Sequence, residues 1–295
     1  MLDLRGLIKL SRNNSKDISV VVCTRNVERD IEACLNSIIA NAPGEILIVD
    51  GKSTDNTCSI VEGMGIEWIS DEGKGLSYAR KIGVSNTTLP LIMFVGPDNI
   101  LPNGFLEEFI ILREIWNFDV ASVATRIQNP VNFWDKGMDF RWRCNMGKPG
   151  LVDVPGSPNL YAREIFNKAN FSDKDFAGAD DTDLCEQMKL FNFRLGIVPL
   201  SIFEKSGWSA RSIWNRFKFY GSGDSCFYDH YKWNWSFKRK VQSITHPLRQ
   251  TIDYSIRAIY ERRFLVVVWL FYVMLARYYG WATYERGEIK NFSSY

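Results

Sequence analysis

The sequence predicts an α/β fold built on a Rossmann-like, mostly parallel central sheet. Ile18-Ser19-Val20-Val21-Val22-Cys23 and Glu45-Ile46-Leu47-Ile48-Val49 are apolar runs with little polar alternation, as strands covered on both faces require. Each stops at a polar turn, Thr24-Arg25-Asn26 in the first case and Asp50-Gly51-Lys52-Ser53-Thr54-Asp55 in the second, and a helical segment follows. A third buried run, Leu91-Ile92-Met93-Phe94-Val95, ends at Gly96-Pro97-Asp98-Asn99. Strands separated by helical segments favour parallel pairing through right-handed crossovers.

The elements follow in order. After the first strand, Ile31, Leu35, Ile38 and Ile39 keep a helical period. Asp50 closes the second strand, and Ser53, Thr54 or Asp55 can satisfy the free N–H groups of the next helix. Asp50 is thereby placed at the carboxyl edge of the sheet, where such folds bind small molecules, although alone it reads equally well as a turn carboxylate. Ile66–Ile69 is a short strand, Gly75–Val84 a helix, and Pro102 suits the first turn of a helix through Trp116. Residues 126–156 are aromatic, basic and rich in Gly and Pro, and read as an irregular, substrate-facing insertion. Asn159–Ala162 is a strand, followed by a helix through Phe166, a loop of polar and aromatic residues, and a helix from about Asp181 to Phe191. These shifts divide the chain into a tail (1–16), an α/β domain (17–205) and a helical C-terminal region (206–295). The domain has a nucleotide-binding half (17–125) and a substrate-facing half (126–205).

Composition narrows the chemistry. With 295 residues and 46% hydrophobic content there is enough material for a large core. The net charge of +2, from 36 basic and 34 acidic residues, gives no global field to recruit nucleic acid. Six cysteines without CxxC spacing suit reduced thiols in a cytosolic setting, and no secretory signal is visible. Only His230 and His246 are present, so histidine-based zinc sites and Ser/His/Asp triads have almost no material. Carboxylates are left to do any acid–base work.

Near the C-terminus, Phe264–Leu275 is apolar on every face, which an exposed helix of a soluble domain would not be. As a helix it spans roughly 18 Å, short of a hydrocarbon layer roughly 30 Å thick. Interfacial or re-entrant burial is expected rather than a crossing. Arg257, Arg262 and Arg263 before it, and Trp269, Tyr278, Tyr279 and Trp281 in and after it, suit an anionic membrane surface. A core helix or a dimer interface is the alternative.

Four segments together resemble the inverting, GT-A-fold glycosyltransferases of family 2: Val20–Asn26, Ile48–Thr57, Gly73–Gly83 and Ala179-Asp180-Asp181-Thr182-Asp183-Leu184. The likeness runs from Ile18 to about Gly223 and implies a GT-A-type nucleotide-diphospho-sugar transferase fold with a membrane-associating helical extension. It implies a hexosyltransferase-like enzyme that takes a nucleotide-sugar donor and a lipid-linked or glycan acceptor at the cytoplasmic face of a membrane. By resemblance, Thr24, Arg25, Asn26, Asp50, Lys52 and Ser53 hold the nucleoside, and Lys74 and Arg80 approach the diphosphate. Gly96-Pro97-Asp98 stands where the family has Asp-x-Asp, so the first Asp is missing and Asp98 alone is assigned a divalent cation, Mg²⁺ or Mn²⁺. Asp181 matches the catalytic base and Asp180 the Glu before it. Like charges in that cluster raise at least one pKa, and the helix N-terminus opposes the rise.

Two further features belong to the resemblance. Many relatives carry a metal-binding His where this chain has Phe203-Glu204-Lys205-Ser206, so Glu204 could replace the ligand or Lys205 neutralise phosphate. Ser209–Gly221 resembles the amphipathic segment of membrane-associated members, near which Trp208 and Trp214 could line an acceptor groove. Two same-fold alternatives remain, a polyprenyl-phosphate sugar synthase and a catalytically weak nucleotide-sugar-binding module. A dinucleotide-dependent oxidoreductase is disfavoured, since no G-x-G-x-x-G follows the first strand.

Overall fold

The computed structural model describes residues 13–284. Strand β1 (Ile18–Thr24) pairs in parallel with β2 (Glu45–Asp50) and β4 (Leu91–Val95), and β3 (Trp68–Ser70) extends the sheet beyond β2. Helices α1 (Ile31–Ile39), α2 (Thr57–Gly63), α3 (Leu76–Ser85) and α4 (Phe105–Ile115) connect and cover these strands. The unbroken apolar runs have the expected cause. Ile18, Val20 and Val22 of β1 enter one core with Ile31, Leu35 and Phe109, while Val21 enters another with Val49, Phe94 and Ala79.

The second half departs from a purely parallel sheet. Its strands are β5 (Asn99–Ile100), β6 (Val120–Ile127), β7 (Gly150–Leu151), β8 (Asn159–Ala162) and β9 (Leu195–Glu204). The sheet order is β3-β2-β1-β4-β8-β6-β9-β5, with β7 on β9. β8 runs antiparallel to β4 and β6, and β5 antiparallel to β9, whereas β6 and β9 are parallel. Asn99 pairs opposite Glu204, which brings the end of β9 beside Asp98.

The stretch expected to be irregular contains a helix, α5 (Phe133–Met146). Asn132 and Asp135 cap it reciprocally, and Asp135 also accepts bonds from the Gly207 and Trp208 amides. Its apolar period is hidden in the sequence because Asp135, Asp139 and Arg141 are buried along with Met138, Phe140 and Trp142. Helix α6 (Asp180–Lys189) follows, and the C-terminal region is α7 (Ala210–Tyr231), α8 (Phe237–Ile244), α9 (His246–Tyr260) and α10 (Phe264–Thr283).

α10 is docked rather than free. Trp269 is fully buried against Phe217, at 5.7 Å between ring centroids, and Gly137 leaves room for its indole. A Cβ on Gly221 would lie 1.8 Å from the Arg277 carbonyl oxygen, and one on Gly280 would lie 1.9 Å from that of Lys218, so these glycines permit α7 and α10 to touch backbone to backbone. Val266, Leu270, Val273 and Ala276 complete a core shared with Ala124 and Ile127 of β6. Phe264, Leu265, Val268, Phe271 and Leu275 remain exposed on the opposite side. Among the described residues α10 is the one helix long and apolar enough to cross a membrane.

Candidate active site

At the carboxyl edge of β1 and β2, Asp50 accepts hydrogen bonds from the Thr24 hydroxyl (2.9 Å), the Ser53 amide (2.8 Å) and the Ser53 hydroxyl (2.6 Å). Asn26 donates its amide to the Ser53 hydroxyl and accepts the Thr54 amide, each at 2.8 Å. Asp50 is 2% exposed and its oxygens are committed to this loop, so it fastens the β1 and β2 loops together. Gly51 lets the chain pass close to the Thr24 carbonyl and Arg25. Lys52 is exposed and paired with Glu72, and Lys74 lies over the Tyr78 ring. None of Thr24, Arg25, Asn26, Asp50, Lys52, Ser53 or Lys74 lines the large cleft beside them.

That cleft, of about 1150 Å³, brings together Arg80, Gly96, Pro97, Asp98, Asp180 and Asp181. Asp180 and Asp181 come from the first turn of α6, where free backbone N–H groups favour anions. Arg80 on α3 donates through Nη1 to Asp180 at 2.5 Å and lies 5.6 Å from the Phe94 ring centroid. Burial works against the Arg80 charge, but Asp180 and then Asp181 outweigh it and raise its pKa. The guanidinium expected at a diphosphate thus already holds a carboxylate. Asp180 is in turn a buried, paired anion rather than a free one.

Asp181 is half-buried, and the Thr182 amide donates to it at 2.8 Å. Burial pushes its pKa up to about 6, Asp180 adds to the rise, and Arg80 opposes it. A carboxylate in this state is ionised at neutral pH yet basic enough to accept a proton. Asp183 has turned away and accepts from the Tyr231 hydroxyl at 2.7 Å, which ties α6 to α7.

Elsewhere in the same cleft, the half-buried guanidinium of Arg216 joins two carboxylates. Arg216 Nη1 lies 3.4 Å from both Asp98 Oδ2 and Glu204 Oε2, and its Nη2 lies 3.3 Å from Glu204 Oε1. The ring centroids of Trp208 and Trp142 lie 4.9 and 5.5 Å from the Arg216 guanidinium carbon. Burial pushes Glu204 up to about 7, against Arg216, which lowers it, and with Asp98, which raises it. Gly96 allows this turn to close, since a Cβ there would lie 2.9 Å from both Asp98 Oδ1 and Asn99 Oδ1. Lys205 does not face this group; its Nζ lies 3.5 Å from Asp30 on α1's entry turn. Trp208 lines the cleft, whereas Trp214 does not and packs against Tyr272 and Tyr279.

A divalent cation bound largely by a donor's phosphates needs one or two protein carboxylates. Asp98 and Glu204 fit that requirement, because both already converge on one positively charged nitrogen. Among the described residues no group of three or more His, Cys, Asp or Glu side chains is placed to hold a metal, so phosphate and water oxygens would complete the shell. Arg216 received no role from sequence. Its place in a basic, aromatic segment was the available signal, but its partners lie 118 and 12 residues away.

Comparison with known proteins accords with this geometry. The glycosyl transferase family 2 model matches residues 19–194. The chain belongs to glycosyl transferase family 2. It is therefore a glycosyltransferase, and its mixed sheet with flanking helices is a GT-A-type fold. A mannosyltransferase from Pyrobaculum calidifontis, in complex with GDP-Man and Mn²⁺, superposes with a TM-score of 0.64 over 95% of this chain and 96% of that one, at 13% identity. S. aureus TarS 1-349, in complex with UDP-GlcNAc, gives 0.53 over 90% of each chain at 17% identity. Glycosyltransferase GlyA of Streptococcus pneumoniae serotype 4 is 33% identical over 97 residues, which is 30% of this chain and 14% of that relative.

Proposed function

We propose that this family 2 enzyme moves a sugar from a nucleotide diphosphate donor to an acceptor carried by a membrane lipid or a glycan, with inversion at the anomeric carbon. The observation that carries the reading is the placement of Asp98, Arg216, Asp180 and Asp181 in one cleft at the end of the parallel strands. GDP-Man and UDP-GlcNAc, the donors in the two superposed structures, are the first candidates.

The chain's own residues divide the work. Asp50, through Thr24 and Ser53, holds the loops against which the nucleoside lies. Leaving-group charge on the diphosphate is the main electrostatic demand, and preorganised cations meet it most effectively in a water-poor site. Arg216 supplies one such charge directly. A divalent cation held by Asp98 and Glu204 in place of Arg216 would supply the same charge. Asp181 accepts the proton of an acceptor hydroxyl as that oxygen attacks from the face opposite the leaving diphosphate. Asp180, neutralised by Arg80, keeps the first turn of α6 in place and raises the basicity of Asp181. If the acceptor oxygen belongs to a phosphate, no proton has to leave and Asp181 positions it instead.

The membrane reading rests on the outward side of the C-terminal helices. Phe237, Val241, Ile244, Leu248, Ile252, Ile256 and Ile259 recur at helical spacing along α8 and α9 and are exposed, next to the exposed face of α10. Lys238, Lys240 and Arg262 lie among them in sequence. Such a face suits shallow insertion among anionic headgroups, with α10 lying on its own protein rather than crossing.

Screening UDP-, GDP- and other nucleotide sugars for thermal stabilisation tests the donor claim, since a ligand selective for the folded state raises its apparent stability. A rise in Tm with one nucleotide sugar, together with its slow hydrolysis, supports the proposal. No stabilisation by any of them would remove it.

A further inference from the structure

The wall that α5, α9 and α10 contribute to the cleft has a charge pattern unlike the donor side. Arg141, on α5, lines the cleft, is 6% exposed and has no carboxylate within 4 Å among the described residues. Its hydrogen bond goes to Gln250 Oε1 at 3.0 Å, and its guanidinium lies 4.8 Å from the Phe217 ring centroid and 5.7 Å from that of Trp142. Burial above all, with Arg277 and Arg216 and against Tyr254 and Tyr220, pushes this guanidinium down to about 10.

Its neighbours do not cancel the charge. Arg277 also donates to Gln250 Oε1, at 3.5 Å, but is already neutralised by Asp224, which it grips through two nitrogens. Arg249 lines the same cleft and is bonded to the Thr245 hydroxyl and the Gln242 carbonyl, both uncharged. A buried ion without a partner costs several kcal/mol, and elsewhere in this cleft the buried ions are paired: Arg80 with Asp180, Arg216 with Glu204, Arg277 with Asp224. Arg141 is the exception among them.

We infer that Arg141, with Arg249 and the Gln250 amide, binds a phosphate group of the acceptor, beyond the Arg216 group that meets the donor. This rests on the glycosyltransferase reading of the cleft. Guanidinium forks suit phosphate oxygens, which accept two parallel hydrogen bonds. α9 carries both features of a lipid-phosphate acceptor site, with Arg249 and Gln250 on the cleft and Ile252, Ile256 and Ile259 exposed outside. The same phosphate chemistry is offered by a lipid headgroup and by a soluble glycan phosphate.

The test is calorimetric titration of the full-length protein with glycerol 3-phosphate, and with glycerol as control, in the presence and absence of the stabilising nucleotide. A parallel arm measures co-sedimentation with phosphatidic acid vesicles against phosphatidylcholine vesicles. Glycerol phosphate should bind alongside nucleotide, and Arg141→Met should weaken it at least tenfold while nucleotide affinity stays within twofold. Arg249→Met, a surface change, should weaken it at least threefold, and decides the matter if the Arg141 variant does not fold. Dependence on these residues in the vesicle arm alone identifies a headgroup, and in the soluble arm alone a soluble phosphate; either supports the site. Unchanged affinity in both variants overturns it, as does competition between glycerol phosphate and nucleotide. Protein that binds glycerol phosphate through Arg141 but no nucleotide keeps this site and contradicts the donor reading.

Discussion

The loops at the end of β1 and β2 and the cleft beside them are held together differently. Around β1 and β2 the polar groups satisfy one another over short loops: Asp50 with Ser53 three residues on, and with Thr24 on the adjoining strand. Inside the cleft the decisive contacts join residues about a hundred positions apart, such as Arg216 with Asp98, Arg141 with Gln250 and Arg80 with Asp180. A βα repeat therefore builds a binding edge from local rules. Building a basic, aromatic wall over that edge takes the whole chain.

If that contrast is right, mutations on the two sides differ in kind. The largest expected effect is on turnover: Asp181→Asn should lower kcat/KM by about 10²–10⁴ for a hydroxyl acceptor, with donor affinity within twofold. In wild type, kcat/KM should fall as pH drops through about 6, because Asp181 then becomes protonated and can no longer accept a proton. A pH profile that is flat from 5 to 8 contradicts the assignment of Asp181 as base for a hydroxyl.

Next comes stability. Arg80→Met leaves Asp180 buried without its counter-ion and should cost about 3–5 kcal/mol in urea unfolding, much of it regained in the double variant Arg80→Met/Asp180→Leu. A single-variant loss below about 1 kcal/mol would mean the pair is effectively solvated.

A smaller effect sharpens the question of the cation. Arg216→Met should weaken donor binding about tenfold in EDTA, the size expected for one charge-assisted hydrogen bond. Added Mn²⁺ should recover more affinity in that variant than in wild type, since both carboxylates become free to take a metal. Equal Mn²⁺ responses in the two proteins argue against Arg216 and a cation sharing one role.

The smallest change is at the surface. Ile256→Glu should reduce co-sedimentation with anionic vesicles severalfold without altering Tm by more than a degree or two, because Ile256 is 63% exposed. Removing α10 is a poorer test than its apolar sequence suggests, since Trp269 and Leu270 sit in the core with Phe217. Vesicle binding unaffected by Ile256→Glu and Val268→Glu together rules out this face as the membrane contact.

Legibility in the sequence divides along the same line. β1, β2, β4 and their helices were readable because each strand has cores on both sides and ends at a polar turn. α5 was not, because Asp135, Asp139 and Arg141 face inward and erase the apolar period that marks a helix. β6 and β9 also escaped notice: β9 carries Pro199 and Ser201 in its centre, and its register on β6 shifts near Ser122. In the site, Asp98, Asp180 and Asp181 are assigned by the family resemblance, and they do share one cleft. Asp50 was expected beside them, but its hydrogen bonds to Thr24 and Ser53 keep it in the loops next door. Arg216 and Arg141 had no local pattern, since their roles arise from partners that only the fold brings near.

The most direct measurement is a crystal structure of the full-length protein with the nucleotide sugar that stabilises it. The diphosphate should lie between Arg216 and Asp98, with the anomeric carbon facing Asp181 at a distance an acceptor oxygen can bridge. A nucleotide sugar bound elsewhere, or a diphosphate separated from Asp181 by packed side chains, would contradict the account.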